Sequence, residues 1–224
     1  MRLRVVVYNL KAFRLGLDRV IDVVRDLAPD LLLVQESGPR RSLGALAAAV
    51  EMQLAADPWS PLRRRVKNAV LARPPWRIIS SRLERLPGSE RFYPRGALLA
   101  QAGRAGRRLW VASAHLGLVP AERVLHAREL TGVLESLGGH LVLGVDLNEL
   151  PGGAAVGWLS GRLVDAWAAA GDGDGPTFPS IEPSARIDYL FVSPGVTIDD
   201  VRVVTDAGAA SDHLPLLADL SLEP

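Results

Sequence analysis

The chain has 224 residues, a net charge of +1 and no cysteine. That length suits one α/β or all-β domain with a sizeable core better than two domains. The missing thiols exclude disulfides and thiolate metal sites, which leaves oxygen and imidazole ligands and favours hard cations.

The opening MRLRVVVYNL lacks the length and cleavage site of a signal peptide, and no apolar run approaches the roughly 18 to 20 residues that cross a bilayer, so a cytoplasmic location without a transmembrane segment is expected. Residues 3–8, LRVVVY, read as a strand, and LGLDRVIDVVRDL sets Leu17, Val20, Ile21, Val24 and Leu27 on one helical stripe. DLLLVQE, from Asp30, is a short continuous apolar run of the kind buried on both faces. The breaker Gly38-Pro39 follows, then a second helix from about Ser42 to Leu54. From about Arg63 to His115 come short β segments, RRVKNAVLAR, WRIISSRLERL, YPRGALLAQAG and RRLWVASAHL, with GRAG at 103–106 as a hairpin signal.

Charge is sorted along the chain. Residues 1–57 carry eight basic and seven acidic side chains, residues 58–108 thirteen and two, and residues 109–224 five and sixteen. A basic middle and an acidic remainder fit an anionic substrate held by arginines and a metal held by carboxylates. A solvated basic face is an equal reading, because 24 of the 26 basic residues are arginine, a compositional habit of the chain.

Pro120 opens a helix with Leu130, Val133, Leu134 and Leu137 as its apolar face, and HLVLGVD follows as a buried strand. The remainder alternates loop and strand: AAGDGDGPTFPS, ARIDYLFVS, VTIDDVRVVT and HLPLLADLSL. The GDGDG run lacks the ligand spacing of an EF-hand and reads as a surface loop. No disordered linker and no fixed repeat divides the chain, so residues 1–224 are expected to form a single domain of sheets covered by helices, with much antiparallel pairing.

Six strand ends carry polar side chains: Asn9, Glu36, His115, Asp146 with Asn148, Asp188, and Asp212-His213. One such residue alone is usually a cap or a turn former. Six together suit a ligand site, because loops converge at strand ends over a rigid sheet. The carboxylates and amides are hard ligands for Mg²⁺ or Mn²⁺, and His115 and His213 titrate near neutrality, a combination suited to phosphoester hydrolysis. Asp188 is a candidate orienter of the His213 ring. His126 on the Pro120 helix and His140 in a Gly-Gly turn are expected to be exposed and inert.

In this order, VVYNL, LLLVQE, NAVLAR, PRGALLA, VASAHL, LGVDLNE, PTFPS…RIDYLFVS and ASDHLPLLADL resemble the endonuclease/exonuclease/phosphatase superfamily, the deoxyribonuclease-I-like and exonuclease-III-like phosphoesterases, over nearly the whole chain. The resemblance implies a four-layer α/β (α+β) sandwich of two packed, mostly antiparallel mixed sheets flanked by helices. It implies Mg²⁺ or Mn²⁺ held by Glu36, Asn9 and Asp212, and Asp146 with Asn148 orienting water and contacting phosphate. His213 would act on the phosphoryl group with Asp188 positioning it, and His115 would be a second histidine of the site. Arg95 and Asn68 are candidate phosphate contacts; a sheet-edge arginine and a core hydrogen bond are the competing readings. Lys11 stands where the abasic-site-repair branch has an acidic or glycine residue, which argues against a repair role.

The expected activity is metal-dependent hydrolysis of phosphate esters, phosphodiesters first, by attack of an activated water on phosphorus, in a monomer. Nucleic acid is favoured by Arg63-Arg64-Arg65 and by Arg104, Arg107 and Arg108, whereas the low aromatic content, 5%, offers no stacking platform. A small phosphoester needs neither feature. A phospholipid or sphingolipid headgroup would need an exposed apolar loop, for which Trp59 and Pro74-Pro75-Trp76 are candidates. A phosphomonoester substrate and a non-catalytic phosphate-binding module of the same fold are the remaining alternatives.

Overall fold

The run VVVY in the first strand is apolar at every position because both faces of that strand are covered. Val5 and Val7 point into one cluster and Val6 and Tyr8 into another, as the two-residue period of a strand requires. Leu31 and Leu33 alternate with Leu32 and Val34 in the same way one strand on.

The computed structural model describes residues 1–58, 60, 64–88 and 93–222. Its elements in chain order are β1 (Arg2–Asn9), α1 (Leu17–Leu27), β2 (Leu31–Gln35), α2 (Arg40–Ala49), β3 (Gln53–Ala56), β4 (Ala69–Ala72), β5 (Arg77–Arg85), β6 (Gly96–Arg104), β7 (Arg107–His115), α3 (Pro120–Glu135), β8 (Leu141–Asp146), α4 (Ala154–Ser160), β9 (Val164–Asp165), α5 (Ala166–Ala170), β10 (Asp188–Val192), β11 (Val196–Val203) and β12 (Leu216–Leu222). They form two six-stranded sheets, ordered β11-β12-β1-β2-β4-β3 and β5-β6-β7-β8-β10-β9. Each sheet holds one parallel pair, β1 with β2 and β7 with β8, among antiparallel neighbours. The parallel pairs are joined by helical crossovers through α1 and α3.

Four layers result. Val20, Ile21 and Val24 of α1 and Leu43 and Leu46 of α2 cover the outer face of the first sheet. Leu130 and Leu134 of α3 and Leu159 of α4 cover that of the second. Between the sheets lies a core that includes Val7, Leu33, Val70, Leu98, Val111, Val142 and Leu190. No helix among the described residues is long and apolar enough to cross a membrane.

The second helix ends at Ala49 rather than near Leu54, because Glu51 turns into left-handed backbone (φ 55°) and residues 53–56 pair with β4 as an edge strand. Of RRVKNAVLAR only Ala69–Ala72 is a strand. Two short helices, α4 and α5, appear where loop and strand alone are expected. A carboxylate anchors each: Glu149 Oε2 accepts from the Ala155 and Val156 amides, and Asp165 Oδ1 from those of Trp167 and Ala168.

The sheets are in close contact at Gly144. A methyl group there would lie 2.7 Å from a Val7 methyl and 2.8 Å from one of Leu33 on the opposite sheet. Beside it, buried Gln35 reaches across, its Nε2 donating to Ser113 Oγ (3.0 Å) and to the Gly144 carbonyl (3.3 Å), while Ser113 Oγ donates back to the Val34 carbonyl (2.6 Å). Gly144→Ala is expected to destabilise the fold by about 1–3 kcal/mol through overpacking. Chemical denaturation should show this as a lowered midpoint with an unchanged slope; an unshifted midpoint would disprove the close packing.

Candidate functional site

Strand register gathers the polar strand ends at one rim of the sandwich. Asn9 pairs with Gln35 in the first sheet, and in the second Gly96, His115, Asp146 and Asp188 are successive neighbours across four strands. The two halves are joined by Asn9 Nδ2, which donates to Asp146 Oδ2 across the inter-sheet gap (2.9 Å). Ser211 Oγ donates to the Asn9 carbonyl (2.7 Å) and thereby delivers Asp212 and His213 to the same rim.

Asp146 is both a turn former and a site residue. Its Oδ1 accepts from the Asn148 amide (3.0 Å), and Asn148 adopts left-handed backbone (φ 51°), which asparagine tolerates better than most residues. The Asn148 side-chain nitrogen donates to the Leu116 carbonyl (3.0 Å) and meets His115 Nε2 at 3.1 Å. His213 lies between two carboxylates, with Nδ1 at 2.7 Å from Asp188 Oδ2 and Nε2 at 4.0 Å from Asp146 Oδ2. Thr177 Oγ1 donates to the same Asp188 oxygen (2.6 Å), and Phe178 packs against the imidazole with ring centroids 4.9 Å apart. Asp146, Asp188 and His213 are buried with ligand atoms within 4.8 Å of one another, a group able to hold a metal ion.

Alongside lies an open cleft of about 340 Å³, lined by Lys11, Arg14, Glu36, Lys67, Tyr93, Arg95, His115 and Asp212 among others. Glu36 stands directly after β2 in left-handed backbone (φ 47°), an unusual conformation for glutamate. It is held there by neighbours on both sides: the Ala12 amide donates to the Glu36 carbonyl (2.9 Å), and the Ser37 amide donates to the Lys67 carbonyl (2.8 Å). Among the described residues the Glu36 carboxylate has no hydrogen bond or ion pair. Asp212 Oδ2 is 2.8 Å from Lys11 Nζ.

Asn68 is placed differently. It is buried away from the cleft lining, and its side-chain nitrogen donates to the Gly96 (2.7 Å) and Ser113 (3.1 Å) carbonyls, so it ties the sheets together rather than presenting an amide to phosphate. Arg65 lines the cleft but is committed to Asp57, Ser37 and the Gly38 carbonyl. Arg104, Arg107 and Arg108 form the β6–β7 hairpin at the opposite end of the strands that carry Gly96 and His115 to the rim. Arg63 and Trp59 lie outside the described residues. His126, expected to be exposed, is buried: its Nδ1 accepts from the Gly117 amide (3.2 Å) and its Nε2 meets the Pro87 carbonyl, which packs α3 onto the β5–β6 connection.

The two site histidines are driven apart. Burial pushes His115 down to about 4, helped by Arg95 and His213 and opposed by Asp146, so it is neutral at pH 7 and its 3.3 Å approach to Asp146 is not an ion pair. Burial also works against a charge on His213, but Asp188, its hydrogen bond, Asp146 and Asp212 outweigh it and raise the ring to about 9, leaving an imidazolium at neutral pH.

The sequence model of the Endonuclease/Exonuclease/phosphatase family matches residues 6–213. The chain belongs to this family. No curated protein matches it. Among solved structures, an endonuclease/exonuclease/phosphatase from Bacteroides vulgatus superposes with a TM-score of 0.86 at 20% identity, covering all of both chains. The mannosyl-6-phosphatase Bt3783 of Bacteroides thetaiotaomicron superposes at 0.85 and 19%, covering 98% of this chain and 100% of that one. TDP2 of D. rerio, complexed with single-strand DNA product, superposes at 0.83 and 17%, covering 98% and 99%. These likenesses share the fold of this family member.

Thr177, Ser211 and Gln35 support the site and carry no signal in the sequence beyond their nearness to the motifs. The opposed histidine shifts predict a two-sided stability profile for this family member without metal. His213, with its folded value raised from 6.5 to about 9, contributes stability that is complete below pH 6.5 and lost as pH rises through 9. His115, lowered from 6.5 to about 4, has the opposite sign, and its contribution is lost as pH falls from 6.5 towards 4. Thermal melts in chelator should therefore flatten on the alkaline limb in His213→Asn and on the acid limb in His115→Asn; limbs unchanged in both variants would refute the assignment.

Proposed function

We propose that the protein is a Mg²⁺- or Mn²⁺-dependent phosphoesterase that hydrolyses compact or strand-terminal phosphate esters by attack of water on phosphorus. The observation that carries this reading is the position of His213, 2.7 Å from Asp188 and 4.0 Å from Asp146, at the rim of a cation-lined cleft.

The donor set fits a hard divalent cation. Glu36 offers a carboxylate without a partner among the described residues, Asp212 already draws an ammonium, and Asn9 adds an amide oxygen that accepts from the Lys11 amide (3.0 Å). Asp146, Asp188 and His213 are the competing group. Asp188 is hydrogen-bonded to His213 and Thr177, and Asp146 to Asn9 and the Asn148 amide, whereas the Glu36 carboxylate has no partner among the described residues, so we assign the ion to Glu36, Asp212 and Asn9. When bound, it supplies positive charge to the phosphoryl oxygens and the leaving group.

Asp146 Oδ2, oriented by Asn9 and close to His115, accepts a proton from the attacking water as the new P–O bond forms. His213 donates a hydrogen bond to the phosphoryl group and a proton to the departing oxygen as the ester bond breaks, and Asp188 with Thr177 fixes the ring. Arg95 lines the cleft wall, and phosphate contact is the role we assign to it. Asn148 supports His115 instead of reaching outward.

Cleft size and the scattering of the arginines favour a small or terminal ester over a long duplex. The hairpin arginines are roughly 25–30 Å from the rim, the length of a nine-residue strand, and Arg65 is internally committed. The lipid reading loses its described anchor, because Trp76 is fully buried in the inter-sheet core. The names of two structural neighbours, a sugar phosphatase and a protein holding single-strand DNA product, are consistent with attack at phosphate ends.

Phosphomonoesters and diesters screened with Mg²⁺, Mn²⁺ or chelator should show metal-dependent turnover. His213→Ala should reduce it by about 10²–10⁴-fold, and Glu36→Gln should remove it at low metal concentration while the fold persists. Metal uptake without turnover on any ester would instead identify a binding module. For the substrate class, hydrolysis of a small ester should change little between about 50 and 200 mM salt, whereas an enzyme tracking 6–10 phosphates loses roughly 10³–10⁵ in affinity.

A further inference from the structure

We propose that Lys11 is a resident cation of the cleft, filling beside Asp212 the place of a second divalent ion, so that the protein works with one ion. This deepens, and rests on, the metal-dependent reading above.

Lys11 is built into the site. Its ammonium is 2.8 Å from Asp212 Oδ2, and both side chains line the cleft with Glu36, Arg95 and His115. Its backbone is held by Asn9 Oδ1, the acceptor of the Lys11 amide. Lys11, Ala12 and Phe13 are consecutive left-handed residues (φ 45°, 56° and 61°), a run that persists only when its surroundings over-determine it. Here the Leu10 amide donates to the Gln35 carbonyl, Phe13 is buried, and Gly38 leaves no room beyond Ala12, since a methyl group on it would lie 2.8 Å from the Ala12 Cα.

Residue type points the same way. Only two of the 26 basic residues are lysine, and both, Lys11 and Lys67, line this cleft. An ammonium is a compact point charge with three donors, closer in shape to a bare cation than a planar guanidinium is. One donor engages Asp212, and the others can meet a phosphoryl oxygen. The cleft charges also disfavour a second divalent ion, because Lys11, Arg14, Lys67 and Arg95 outnumber the carboxylates of Glu36 and Asp212 even with Arg65 set aside for its bond to Asp57.

The test counts Mn²⁺ bound to the full chain without substrate, by titration calorimetry and by electron paramagnetic resonance of free Mn²⁺. Wild type and Lys11→Arg should each take up one ion. Lys11→Asp, a residue tolerant of left-handed backbone, should take up two, and Lys11→Asn one ion held roughly tenfold tighter through loss of the nearby positive charge. Circular dichroism checks that each variant is folded. Two ions on wild type, or unchanged count and affinity in both Lys11→Asp and Lys11→Asn, would overturn the role of Lys11 while leaving the phosphoesterase reading standing. If wild type binds no Mn²⁺, or if Glu36→Gln binds it equally well, the metal assignment itself fails and this proposal falls with it.

Discussion

The close contact of the two sheets at Gly144 is the constraint on which the rest of the molecule depends. With no side chain there, the Val7 and Leu33 side chains of the first sheet rest against the second. Gln35 bridges the same place by donating to Ser113 and to Gly144 itself. Buried polar groups of this kind are costly unless paired, so the bridge selects one relative position of the sheets. Two residues further along β8 stands Asp146, and that single relative position puts it within hydrogen-bonding reach of Asn9.

The site is therefore a seam. One sheet and its loops bring Asn9, Glu36 and the Asp212-His213 pair; the other brings His115, Asp146 and Asp188. Charge is partitioned across it. His213 is held as a cation by carboxylates on two sides, His115 is kept neutral by burial, and the Glu36 carboxylate faces a cleft rich in cations. Left-handed backbone at Lys11–Phe13, Glu36 and Asn148 turns the chain sharply just beyond three of the strands. The side chains are thereby presented at the rim instead of being carried away along the strand direction.

Much of this was legible in the sequence. Apolar runs covered on both faces marked β1, β2 and β8, and the polar residues that interrupt them marked the rim, because a strand that stops being apolar must be leaving the core. Asp188 with His213 was a candidate pair, and the fold brings the two together. What escaped depended on contacts between distant segments. Residues near Leu54 have a helix-compatible pattern, but β4 captures them as an edge strand. The helices α4 and α5 are too short for periodicity to show and depend on carboxylate anchors. Asn68 and His126 look like surface or site residues until their carbonyl partners are known. The basic middle of the chain reads as one patch, yet a hairpin carries part of it to the far end. Lys11 stood out as a departure from a motif, but its bond to Asp212 is invisible before folding.

The place of β1 gives this architecture a temporal dimension. β1 lies between β2 and β12, so its second edge is paired only after β12 has been made. Asn9 and Asp146 are 137 residues apart, and His213 arrives later still. Contacts of such long range make assembly slow and late. The seam is thus withheld from a partly made chain: until β12 pairs with β1, the groups of the two sheets are not all held in place.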